Sequence, residues 1–188
     1  MIRRVIKDIV TVFKNEDEGE YFLPEYFEDR DEMVYDFMTM GESFSIELIM
    51  EINDEIDSFK VNAEIYNDDH AIKLVIQYNS DKKNQILYDL IGELNEVIAH
   101  ELRHIDQNNR GMFVSKSYRG KDPVKYYTQP KELDAQVFGF KRLSKLTRKP
   151  FDEVVMNWFE THREIHQLDD KGIKKVMDKL FDYERYGR

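Results

Sequence analysis

The chain predicts an α+β fold: one helix, then a small antiparallel sheet, then a run of helices. Three changes of hydrophobic period carry that prediction. The opening MIRRVIKDIVTVFK repeats apolar residues at helical spacing. Around residue 44 the period drops to two, and SFSIELIMEI puts Phe44, Ile46, Leu48 and Met50 on one face. From residue 84 onward the spacing returns to three and four in a series of helical stretches.

Each element follows in order. Lys7, Asp8 and Lys14 interrupt the apolar part of residues 1–14, which makes an amphipathic helix of a segment that begins like a signal peptide. Asn15 to Glu20 (NEDEGE) reads as a polar loop, and the aromatic-rich residues 21–40 as holding a short helix after Pro24. Ser58 to Tyr66 and Ala71 to Tyr78 read as a β-hairpin turning at NDD. A long helix is expected over Asn84 to Gln107, where Leu87, Leu90, Ile91, Leu94, Val97, Ile98, Leu102 and Ile105 recur on one side. After a loop from Asn108 to Pro130 come helices over Lys131–Leu146, Pro150–His166 and Asp169–Tyr186. No repeat, Pro/Gly-rich linker or low-complexity block interrupts residues 1–188, so a single domain is expected.

Composition narrows the function classes. With 188 residues and 41% apolar content the chain can bury a substantial core. It has no stretch near the ~18 apolar residues of a membrane span. It has no cysteine, which excludes thiolate metal sites and cysteine nucleophiles and suits a cytoplasmic setting. The net charge is −10, unevenly spread: residues 1–100 carry 9 basic and 24 acidic groups, residues 101–188 carry 19 and 14. Such an acidic first half argues against a nucleic-acid surface. The basic run Lys141 to Pro150 reads as a solvated helix face whose cations sit at a helix C-terminus.

One stretch, VIAHELRHIDQ, carries chemistry. Residues four apart lie one above the other on a helix, so His100 and His104 can point imidazole nitrogens at one ion. Neutral imidazole is a good zinc ligand. Glu101 stands about 100° round the helix from His100. It is badly oriented for a third ligand and well oriented to take a proton from a nearby water. The plain alternative is a polar turn on an ordinary helix. A chance H-E-x-x-H is expected in roughly one chain in a hundred of this composition. The apolar residues on both sides of the motif also suit a buried helix, where two histidines need a partner.

A third ligand is sought in PKELDAQVFGF. Glu132 and Asp134 compete, about 200° apart on the helix, so only one can face the ion. Glu132 shares its side with Ala135, Gln136, Gly139 and Leu143, two of them small enough for close helix packing. Asp134 shares its side with Phe138, Lys141 and Lys145, which reads as a mostly solvent-facing surface. The amphipathic pattern favours Glu132.

H-E-x-x-H, a loop, and then E-x-x-A on a second helix resembles the zincin metallopeptidases of the glutamate-ligand type, the gluzincins. Among them the chain is most similar to small intracellular and phage-encoded zincins, including those that cleave phage repressors. These carry E-x-x-A-N-x-F-A where this chain has Glu132 to Gly139. The likeness covers about fifty residues, Val97 to Leu146. Two positions depart from it: Arg103 stands where glycine is common before the second histidine, and Gln136 where Asn or Asp is usual. The resemblance implies a zincin-like fold, Zn2+ on His100, His104 and Glu132, and Glu101 as general base. It also implies hydrolysis of a peptide or protein substrate by zinc-activated water, in the cytoplasm, or in a host cytoplasm or virion if phage-encoded.

Such a reaction needs a donor for the oxyanion. Tyr126, Tyr127 and Arg119 are candidates. Gln136 and Asp134 are candidates for orienting a metal ligand from outside. THREIHQLDD repeats the four-residue spacing with His162 and His166, but Arg163 stands where the base would be. A solvated helix face or a wall of the cleft is expected there, and an exposed His70. The alternative to a peptidase is a zinc-binding protein without turnover, acting as an interaction or virion-associated module. Glu101 favours the enzyme, because metal binding alone does not require it.

Overall fold

The structure is a computed structural model that describes residues 1–27, 43–66, 71–113 and 120–187. The chain divides into two compact units, Met1–Asp106 and Gln107–Arg188. Helices and a small sheet both occur, as an α+β fold requires. Among the described residues no helix is long and apolar enough to cross a membrane.

The first unit opens with helix α1 (Ile2–Asn15), which buries Ile2, Val5, Ile6, Ile9 and Phe13. That spacing of three and four is the stripe that makes the segment a helix. It stops at Glu16, whose backbone is extended. Strands β1 (Gly19–Phe22), β2 (Tyr26–Phe27), β3 (Ser43–Ile52), β4 (Phe59–Tyr66) and β5 (Ala71–Tyr78) follow. The expected loop over residues 15–20 thus gives way to a strand at Gly19. The expected helix after Pro24 meets a two-residue strand, and its remainder lies outside the described residues. So do the NDD turn and His70.

The sheet order is β1-β3-β5-β4, with β2 also paired to β3. The hairpin β4–β5 is antiparallel, as its alternation suggests. The sheet as a whole is mixed, because β3 and β5 run parallel, Ile46 beside Ile72 and Ile52 beside Tyr78. The expectation of an antiparallel sheet is corrected here. Alternation reveals that a segment is a strand and which face it buries, but not which neighbour it takes or in what direction. Phe44, Ile46, Leu48 and Met50 of β3 and Ile72, Leu74, Ile76 and Tyr78 of β5 are buried as one face. Fully burying each such side chain contributes about 1.5–3 kcal/mol.

Lys83 closes this core at one end. Its ammonium lies 2.9 Å from the Asp17 carboxylate and 5.5 Å from the ring centres of both Phe13 and Tyr78. The two rings meet edge to face at 5.0 Å. The Tyr78 hydroxyl donates to the Asp17 carbonyl at 2.6 Å, so the chain leaving α1 is fastened to β5. Helix α2 (Leu87–Asn109) comes next and buries Leu90, Leu94, Ile98, Ala99, Leu102 and Ile105.

The second unit is helical: α3 (Pro123–Tyr127), α4 (Pro130–Thr147), α5 (Phe151–Thr161), α6 (Arg163–His166) and α7 (Asp170–Tyr186). Pro130 fits the first turn of α4, where its missing N–H is not needed. Arg148 ends α4 in the left-handed region. Asp169 caps α7 by accepting from the Gly172 N–H at 2.7 Å. At Gly172 a Cβ would lie 3.0–3.1 Å from the side chains of Asp169, Leu168 and Val124, so a larger residue there would have to displace them by a few tenths of an ångström. Leu133, Val137 and Phe140 of α4, Val154, Val155 and Phe159 of α5, and Ile173, Val176 and Leu180 of α7 form one apolar cluster.

Candidate metal centre

α2 draws on residues that favour helix, chiefly Leu87, Leu90, Leu94 and Leu102 and the glutamates Glu93, Glu96 and Glu101. It ends by a backbone device: the Met112 N–H donates to the Gln107 carbonyl at 2.8 Å, and Gly111 takes a positive φ of 61°. Between these ends the helix buries more polar groups than a surface helix normally does. Asn95, Glu96, His104, Asp106 and Gln107 are all buried, and His100 is half-buried.

The His100 and His104 Nε2 atoms lie 3.0 Å apart, and their rings are nearly perpendicular, at 85°. Two neutral imidazoles approach this closely in one of two ways. Either one Nε2–H points at the other's lone pair, or both lone pairs point at a shared cation. Two ligands at ~2.0–2.1 Å from a tetrahedral ion would be about 3.3 Å apart, close to the separation seen here. Glu132, buried in the first turn of α4, completes the set: one ligand atom from each of His100, His104 and Glu132 lies within 4.8 Å of the others. This His-His-Glu group could bind a metal ion. Two nitrogens and a carboxylate oxygen, without sulfur, are donors that zinc accepts.

Glu101 is half-buried beside His100 on α2. One turn before His100 stands Glu96. Burial pushes its carboxyl well above the ordinary value of 4.5, and the negative charges of Glu93 and Glu101 push it the same way. Sequence reading passed over Glu96, although a Glu four residues before the first histidine was visible in the spacing. Arg103 donates to the Asp106 carboxylate at 2.7 Å, both side chains being largely buried. Arg103 is thus engaged in a local ion pair along α2.

Asp134 requires a correction. It does not lie on a solvent face: it is only 9% exposed, and both carboxylate oxygens accept hydrogen bonds. Gln107 donates to Oδ2 at 2.7 Å and Tyr183 donates to Oδ1 at 3.1 Å. The first two turns of α4 are buried on nearly every side, from Glu132 through Val137, so the periodic pattern there is not that of a one-sided helix. Gln136 is buried too, and neither of its amide atoms has a hydrogen-bond partner among the described residues.

Tyr126 is exposed on α3, and Tyr127 packs edge-on to Phe159 with ring centres 6.3 Å apart. Arg119 lies outside the described residues. The second histidine pair is not a solvated face: His166 is 1% exposed and His162 stacks on Trp158 at 4.7 Å. Compared with known proteins, the chain matches no family model, no curated protein and no solved structure.

Proposed function

We propose that the protein is a zinc metallopeptidase of the glutamate-ligand type, with a zincin-like arrangement of its active-site helix. His100, His104 and Glu132 would hold the ion and Glu101 would act as general base. The observation that carries this is the convergence of the three ligand atoms within 4.8 Å, with a carboxylate next to the first histidine that is not one of the three. When bound, zinc supplies a Lewis acid that polarises a carbonyl and acidifies water. The chain's own residues do the rest. Glu101 takes the proton from the attacking water on its carboxylate and returns it to the leaving amine nitrogen. His100 and His104 must be neutral to bind, so their affinity for metal weakens as pH falls below about 6. The substrate class is a peptide or protein.

The test has two parts. Elemental analysis of gently purified protein is expected to give about one zinc per chain, and none for His100→Ala. Glu101→Gln is expected to keep its zinc but lose cleavage of a denatured protein substrate. Zinc retained in His100→Ala would refute the ligand assignment. Full activity in Glu101→Gln would refute the mechanism.

A further inference from the structure

We infer that Asp134 is a positioning residue for Glu132, and that Gln107 and Tyr183 hold it in that role. This rests on the metal-site reading above. A carboxylate is a flexible ligand, and Glu132 stands in the first turn of α4, where helices fray. No side-chain cap secures that turn: Gln129, its N-cap, makes no capping hydrogen bond.

Asp134, two residues beyond Glu132, is tied from both sides. Gln107 approaches from the end of α2, and its Nε2 donates twice, to Asp134 Oδ2 at 2.7 Å and to the Lys131 carbonyl at 3.0 Å. The two acceptors flank Glu132 in sequence. Tyr183, near the end of α7, donates to the other carboxylate oxygen at 3.1 Å. Gln107 is fully buried and Asp134 nearly so, which makes these bonds strong and their loss costly. Hydrogen bonds to a charged acceptor are also the stronger kind. The Lys131 carbonyl before Glu132 and the Asp134 side chain after it are thus held by an amide and a phenol from two other helices. The ligand is presented by the clamp rather than by the helix end alone.

The experiment uses the full chain, stripped of metal, and titrates it with zinc by calorimetry. Asp134→Asn leaves one acceptor oxygen for two donors, and Tyr183→Phe removes one donor while keeping the ring. Zinc affinity is expected to fall roughly ten- to a hundred-fold for Asp134→Asn, and less for Tyr183→Phe, in line with partners that orient metal ligands. Cobalt(II) in place of zinc gives a visible spectrum that reports the ligand set. The Asp134→Asn spectrum is expected to shift toward that of Glu132→Ala. A merely structural Asp134 would lower the thermal midpoint of the metal-free protein yet leave zinc affinity and the cobalt spectrum as in wild type, and that result overturns the inference while sparing the metal site. Wild-type protein that binds neither zinc nor cobalt overturns both.

Discussion

Two stretches of this protein carry histidines four residues apart, and their environments diverge. In Glu96–His100–His104 the ring nitrogens of the two histidines turn toward each other, 3.0 Å apart, inside an unbroken helix. In Trp158–His162–His166 the helix breaks at His162, whose backbone leaves the helical region, and the rings are engaged separately. His166 Nε2 donates to the Phe159 carbonyl at 2.8 Å, and its Nδ1 accepts from the Leu168 N–H at 3.0 Å. His162 Nδ1 lies 2.9 Å from the Trp158 carbonyl, and its ring stacks on the indole. Four-residue spacing brings the two Nε2 atoms together where the helix continues through both histidines; where it breaks, at His162, the rings are engaged separately. A carboxyl one turn ahead in the first pair, and an indole in the second, mark the same contrast between a polar site and a packed core.

The sharpest way to break the comparison is through chemistry. Glu101→Gln is expected to reduce peptide hydrolysis by roughly 10²–10⁴ with metal content unchanged, whereas Arg163→Gln, at the corresponding position of the second pair, should leave hydrolysis unaltered. Cleavage rates for both variants beside elemental analysis check this. Next comes the metal itself. His104→Ala should purify with essentially no zinc, while His166→Ala should retain a full equivalent.

The third effect is on stability and runs the other way. His166→Ala opens a cavity and strands both the Leu168 N–H and the Phe159 carbonyl, at a cost of about 2–4 kcal/mol by urea unfolding. His162→Ala, which loses a stacking contact and the bond to the Trp158 carbonyl at a half-buried site, should cost less, about 1 kcal/mol. Equal losses at the two positions would mean that the deeper burial and second backbone bond of His166 contribute little.

The smallest effect concerns Glu96 and pH. Its folded carboxyl is held above the ordinary value of 4.5, so the unfolded chain loses that proton first. Metal-free protein should therefore lose stability as pH rises above about 4.5 toward the folded value. Glu96→Gln should remove that loss: thermal midpoints of variant and wild type should coincide below the window and separate above it, the variant being the more stable. A variant that is less stable at neutral pH would mean that the Glu96 charge is compensated.

Much of this was legible in the residues alone. Periods of 3.6 and 2 located α1, the strands β3, β4 and β5, and the helices α2, α4 and α7 to within a few residues, because those periods are properties of the local backbone. The pair His100 and His104 and the neighbouring Glu101 were legible for the same reason: their geometry is internal to one helix turn. Composition, with no cysteine, fixed the donor types available to any metal. The tertiary structure decided everything that depends on residues far apart in the chain. It paired β3 with β5 in parallel, a choice made by neighbouring strands and not by either strand's own alternation. It buried Asp134 and gave its two oxygens to Gln107 and to Tyr183, a residue 49 positions away. It took His166 into the core, where the local pattern had suggested a solvated face or a wall of the cleft. A helix turn's burial is set by how many partners surround it, and an i, i+4 pattern records only one.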